Sequence, residues 1–102
     1  MRVISKGTLK AFWISHAQAK SGLSLWYERV SKQRFGSFVS LRQVFPSADL
    51  VGNFTVFNIS GNNYRLITYI DYEYQIIFIR AVLTHAEYDK EKWKNDDWFE
   101  AH

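Results

Sequence analysis

After residue 50 the chain changes its period, and the change dictates what kind of sheet it can build. Residues 54–59, 64–70 and 75–83 are rich in β-branched and aromatic side chains. The breaks between them are four residues long, Ser60-Gly61-Asn62-Asn63 and Asp71-Tyr72-Glu73-Tyr74. Turn residues at that spacing close hairpins. Parallel neighbours would need a crossover of about a dozen residues, so the three runs must pair antiparallel, as a meander.

Ahead of the meander the pattern is helical. Residues 2–4 read as a short first strand. Ser5 stands at an N-cap position for a helix over 6–20, with Leu9, Phe12, Trp13 and Ala17 on one face. Ser21 and Gly22 read as a break. A second helix over 23–35 follows, with Leu23, Trp26, Tyr27 and Val30 at i, i+3, i+4, i+7 and with Arg29, Lys32 and Arg34 on its polar side. Residues 40–45 read as a helical turn stopped by Pro46. Thr84, with Glu87 at capping-box spacing, opens a terminal helix to about residue 92. The expected class is α+β: two N-terminal helices packed on an antiparallel sheet of three to four strands, then a short C-terminal helix. At 102 residues this is one domain.

Composition excludes several chemistries. The chain has no cysteine, which removes disulfide scaffolds, thiolate nucleophiles and cysteine zinc sites, and which fits a reducing compartment. No segment approaches the roughly 20 apolar residues that cross a bilayer. The opening Met1-Arg2-Val3-Ile4-Ser5-Lys6 meets charge too early for a signal peptide, so a cytoplasmic protein without membrane association is expected. Charge is unevenly placed. Residues 1–42 carry eight Lys or Arg against Glu28 alone, whereas residues 91–102 carry four acidic against two basic side chains. A basic half points to a polyanion such as nucleic acid, the alternative being a merely solvated surface.

The hairpins allow a register to be written. Symmetric loops place Asn58 opposite Arg65 and Arg65 opposite Arg80, one row across three strands. Adjacent guanidiniums repel unless an anion lies between them, and a phosphate suits both. The alternative is that one arginine pairs with Asp71, Glu73 or Glu87. Neighbouring rows, Val56/Ile67/Phe78 and Phe54/Tyr69/Ile76, are apolar; they fit either a base-stacking surface or a second packed face. Just beyond the third strand, His85 opens a helix with Tyr88 one turn on, and imidazole moves protons in the physiological range. His16 and His102 show no partners.

This inventory suits metal-free RNA cleavage, in which the 2′-hydroxyl attacks the adjacent phosphate. That reaction needs proton transfer, here from His85, Tyr88 and Lys90, and charge stabilisation, here from Arg65 and Arg80. Lys6, Lys10, Arg29, Lys32 and Arg34, with Asn58 and Lys90, are the expected RNA contacts. The carboxylates form no ligand set with the histidines, and there is no phosphate-cradling glycine loop or nucleophile elbow. No metal or cofactor is expected.

Two long blocks resemble the HigB family of bacterial toxins: Val56-Phe57-Asn58-Ile59-Ser60-Gly61-Asn62-Asn63-Tyr64-Arg65-Leu66-Ile67 and Ile79-Arg80-Ala81-Val82-Leu83-Thr84-His85-Ala86-Glu87-Tyr88-Asp89-Lys90. The segments Leu41-Arg42-Gln43-Val44-Phe45-Pro46-Ser47-Ala48-Asp49 and Ile4-Ser5-Lys6-Gly7-Thr8-Leu9 are similar to that family's middle and opening. The resemblance runs to about residue 92. It implies a RelE-like fold and an mRNA interferase acting on messages in the ribosome. It also implies a HigA-type helix-turn-helix antitoxin as partner, and it places Asn58, Arg65, Arg80, His85 and Tyr88 in shared motifs. The acidic, aromatic tail from about residue 93 to 102 departs from the family, and is expected either to fold over the active face or to meet the antitoxin. Two other readings stand beside the ribonuclease: a ParE-like toxin that poisons a topoisomerase without catalysis, and a plain RNA binder.

Overall fold

The computed structural model describes residues 1–100; His102 lies outside them. Strand β1 (Arg2–Ile4) leads into helix α1 (Lys6–Ser15), a 3₁₀ turn (Ala17–Ala19), α2 (Lys20–Ser31) and α3 (Phe38–Val44). Then come β2 (Asp49–Val51), β3 (Phe54–Ile59), β4 (Tyr64–Asp71), β5 (Ile76–Thr84), α4 (His85–Asp89) and a 3₁₀ turn (Lys92–Asn95). The class is α+β. The sheet has five strands in the order β1-β5-β4-β3-β2, and it is mixed, because β1 runs parallel to β5. Three to four purely antiparallel strands were expected. The missed strand β2 is three residues long, but Val51-Gly52-Asn53-Phe54 carries its signal: a two-residue Gly-Asn loop, with Gly52 at φ +57, closing a hairpin.

The helices differ from expectation where packing overrides local pattern. The corner falls at His16–Ala19 rather than at Ser21-Gly22, and α2 runs through Gly22. Glycine is needed there for close approach: a Cβ would stand 2.6 Å from Ser60 Oγ and 2.8 Å from Ile59 Cγ2. At its far end α2 stops at Ser31, not Phe35. Phe35 is buried outside the helix, where its N–H donates to Gln75 Oε1 and its carbonyl accepts from Gln75 Nε2, at 3.2 and 2.7 Å. Helix α3 starts earlier than expected because Ser37 caps it in a capping box whose second member is Ser40, a residue type the usual glutamate signature does not include.

Each face of the sheet has its own core. On one face α1, α2 and α3 bury Leu9, Leu23, Trp26, Val30 and Leu41 against Phe57, Ile59, Leu66 and Ile77. On the other, Phe54, Val56 and Ile67 are covered by Trp93, with Trp98 and Phe99 packed beside it. The second face is therefore a packed face rather than an open stacking surface, and the tail is what covers it.

The register decides the fate of the arginine row. Asn58 does pair with Arg65, but Arg65 pairs with Leu83 and not with Arg80. Two steps of the shift come from the turn. Gln75, expected to open the strand, sits at φ +57, held by the Phe35 bonds and by donation to the Tyr72 carbonyl at 2.7 Å. The third step is a bulge: Ile67 pairs with Ala81 and Thr68 with Ile79, which leaves Arg80 as the extra residue.

Candidate active site

The β3–β4 hairpin presents Asn58 and Arg65 side by side on the tail-covered face. Arg65 is pinned by its own turn, with Nη1 donating to the carbonyls of Asn62 and Tyr64 at 3.0 and 3.2 Å. Asn58 Nδ2 lies 3.4 Å from Asn62 Oδ1. Asp49 faces Val56 across the β2–β3 pair, so it occupies the neighbouring row on that same face. Helix α4 supplies the last wall. Its start is fixed by the expected capping box, in which Thr84 N–H donates to Glu87 Oε1 at 2.9 Å and Glu87 N–H to Thr84 Oγ1 at 3.2 Å. The bond from the Thr84 backbone holds the Glu87 carboxyl below the usual glutamate range. The His85 N–H donates to the Asn63 carbonyl at 3.0 Å, tying α4 to the β3–β4 turn. Tyr88 then lies one turn into the helix with its ring 5.3 Å from the Arg65 guanidinium.

Asp49, Asn58, Arg65 and Tyr88 line one cleft of about 290 Å³ together with Arg42, Pro46, Ser47, Ala48 and Val56. Arg42 is held across the end of α3 by donation from Nη2 to the Pro46 carbonyl at 3.2 Å. The cleft wall thus carries two guanidiniums, a carboxylate, a phenol and a carboxamide. Of the residues singled out from sequence, it brings together Asn58, Arg65 and Tyr88. Arg42, Ser47 and Asp49 were missed as site residues. Their signal was the Gly-Asn hairpin, which would have folded the segment before residue 50 back onto β3.

The other expected residues lie elsewhere. Arg80 donates from Nε and Nη2 to the two carboxylate oxygens of Asp96, both at 2.8 Å, and its guanidinium lies 4.0 Å from the Trp98 ring centroid. The pairing carboxylate comes from the tail, not from Asp71, Glu73 or Glu87. His85 and Lys90 do not line the cleft; the His85 imidazole lies 3.2 Å from Asp89 Oδ2 on the exposed side of α4. Lys6, Lys10 and Lys32 line a groove between α1 and α2, where Lys6 lies over Tyr27 and Lys32 pairs with Glu28 at 3.0 Å. Arg29 lines a second groove that shares Asn58 as a wall with the cleft. Arg34 is exposed in the loop after α2. His16 does have partners: its ring stacks on Phe12 at 4.2 Å and meets the Tyr64 ring edge-on.

Residues 19–91 match the family described as HigB_toxin, RelE-like toxic component of a toxin-antitoxin system. The chain is 35% identical over 92 residues to the mRNA interferase toxin HigB of Escherichia coli (strain K12), covering 87% of this chain and 88% of that protein. Against the mRNA interferase HigB of Shigella flexneri the figures are again 35%, 87% and 88%. The mRNA interferase HigB of Escherichia coli O6:H1 is 28% identical over 93 residues, 88% of this chain and 90% of the relative.

Proposed function

The chain belongs to the HigB toxin family, the toxic component of toxin-antitoxin systems, and on that premise we propose that it is an endoribonuclease that cuts mRNA in its Arg42–Arg65 cleft. The relatives' names supply the substrate class. The observation that carries the reading is the convergence of Arg42, Asp49, Asn58, Arg65 and Tyr88 on one cleft.

The proposed step uses the RNA's own nucleophile. The 2′-oxygen bonds to the adjacent phosphorus, and the bond from phosphorus to the 5′-oxygen breaks. Asp49 accepts the 2′-hydroxyl proton and Tyr88 protonates the departing 5′-oxygen. Arg42 and Arg65 balance the charge that builds on the phosphorane oxygens, and Asn58 orients the strand. Arg65 keeps the role expected of it, while Arg42 replaces Arg80, whose guanidinium is engaged by Asp96. His85 is the rival base; its position against Asp89 on the exposed side of α4 speaks against it.

The scaffold is proposed to be a single RelE-like domain. Its partner is an antitoxin, proposed to be of the HigA-type helix-turn-helix class, and the antitoxin gene is expected beside this one. Expression in a bacterium, with growth and transcript ends read together, tests the activity. Purified protein is then given a defined mRNA with and without ribosomes. Arg65→Ala, Asp49→Asn and Tyr88→Phe should each slow cleavage by about 10²-fold or more, and His85→Ala by less than about threefold. Growth arrest with DNA damage and intact transcripts would select the topoisomerase-directed reading instead. An Arg65→Ala variant as active as wild type would remove this site.

A further inference from the structure

Tyr88 has a second ring partner besides Arg65. The Trp93 ring stacks with it, centroids 5.1 Å apart and planes 10° from parallel. The Trp93 indole N–H also donates to the Tyr88 carbonyl at 3.0 Å, so one residue holds both the ring and the main chain of Tyr88. Trp93 is itself only 8% exposed and packs against Phe54 and Phe99.

The segment carrying Trp93 is fastened further along. Asp96 takes both hydrogen bonds from Arg80. The Trp98 carbonyl accepts from Asn53 Nδ2 and the Phe99 carbonyl from Asn53 N–H, at 3.2 and 3.0 Å. At Gly52 the Phe99 ring comes within 2.7 Å of where a Cβ would stand. Trp93, Asp96, Trp98 and Phe99 lie beyond residues 19–91, the part of the chain that matches the family, whereas Gly52, Asn53 and Arg80, to which they fasten, lie within it.

We infer that Trp93 is a positioning residue for cleavage, the aromatic tail acting as a backing plate that fixes Tyr88 and, through the Tyr88 ring, the Arg65 guanidinium. This rests on the cleavage site proposed above. A phenol on a five-residue helix has rotamers to choose among, and proton transfer falls off steeply when its donor is misplaced by an ångström. Stacking and the carbonyl bond together remove that freedom. Arg80, expected to touch phosphate, instead serves to anchor the tail.

The test is a double-mutant cycle on the full chain, reading the maximal cleavage rate and the half-saturating RNA concentration separately. Trp93→Leu stays apolar but is smaller and loses the stack; Trp93→Phe keeps a ring. We expect Trp93→Leu to lower the maximal rate about tenfold or more with half-saturation changed less than about threefold, and Trp93→Phe to stay within about threefold of wild type. In a Tyr88→Ala background, Trp93→Leu should cost nothing further, because the group it positions is gone. Melting temperatures accompany each variant, and Trp93→Met replaces the leucine variant should that one melt below the assay temperature. Equal rate losses in both backgrounds, equally slow Phe and Leu variants, or a Leu variant as fast as wild type would overturn the positioning role and leave the cleft standing. Wild-type cleavage by Tyr88→Ala would instead overturn the reading of the cleft.

Discussion

At Gly22 the backbone of α2 meets the β3–β4 turn, and the missing side chain is the reason it can. Alanine is the better helix former by about 1 kcal/mol. Here its methyl would press on Ile59 Cγ2 at 2.8 Å and on the Ser60 backbone nitrogen at 3.1 Å. Ile59 is only 3% exposed and cannot yield. Overpacking of this kind costs about 1–3 kcal/mol, so Gly22→Ala should lower the denaturant midpoint and drop Tm by several degrees. A variant at least as stable as wild type would show that the turn moves. The same turn holds Asn62, whose carbonyl accepts from Arg65, so loss of stability here should carry some loss of cleavage with it. Arg65 and Arg80 make the complementary point. They lie on one face of one sheet, but a two-residue shift at the β4–β5 turn and one bulge separate their rows, and a tail carboxylate engages the second.

Helix α4 is the element whose start was most legible, because Thr84 and Glu87 carry both halves of a capping box three residues apart. Such local signals survive folding, since the atoms that satisfy them are already neighbours in the chain. The far end of α2 was less legible: the helix stops short of Phe35, which is held instead by Gln75, 40 positions away. The Glu87 carboxyl has its affinity for protons lowered by the Thr84 N–H. Its stabilising contribution is therefore present above the ordinary glutamate range and is lost as the pH falls through it. The side chain is exposed, so the effect is small, a few tenths of a kcal/mol or about 1–3 °C. Glu87→Gln keeps a capping oxygen without the charge. Thermal melts between about pH 6 and pH 3 should show wild type losing that extra margin and the glutamine variant not losing it. Parallel curves would remove the ionised cap from the account.

On the scale of the whole molecule the sheet separates two surfaces. The α1–α2 groove with Lys6, Lys10 and Lys32 belongs to the helical side, whereas Asp49, Asn58, Arg65 and Tyr88 open on the side the tail covers. A basic half of the sequence is therefore not a single basic face. RNA affinity should fall steeply with salt, and each lost phosphate contact should make the slope of log affinity against log salt shallower by about 0.7. Arg42→Ala and Arg65→Ala should show that change, and Lys6→Ala should leave the slope alone. An equal change in all three would mean that RNA also wraps the helical side. By itself the sequence determined the α+β class, the β3–β4 hairpin with Asn58 opposite Arg65, and the family. Each rests on pattern or spacing within a short stretch of chain. Only the tertiary structure decided that Arg42 and Asp49 join Arg65 and that the tail packs behind Tyr88, with Arg80 as its anchor. Those outcomes depend on one bulge, a three-residue strand and long-range aromatic packing, none of which leaves a period in the sequence.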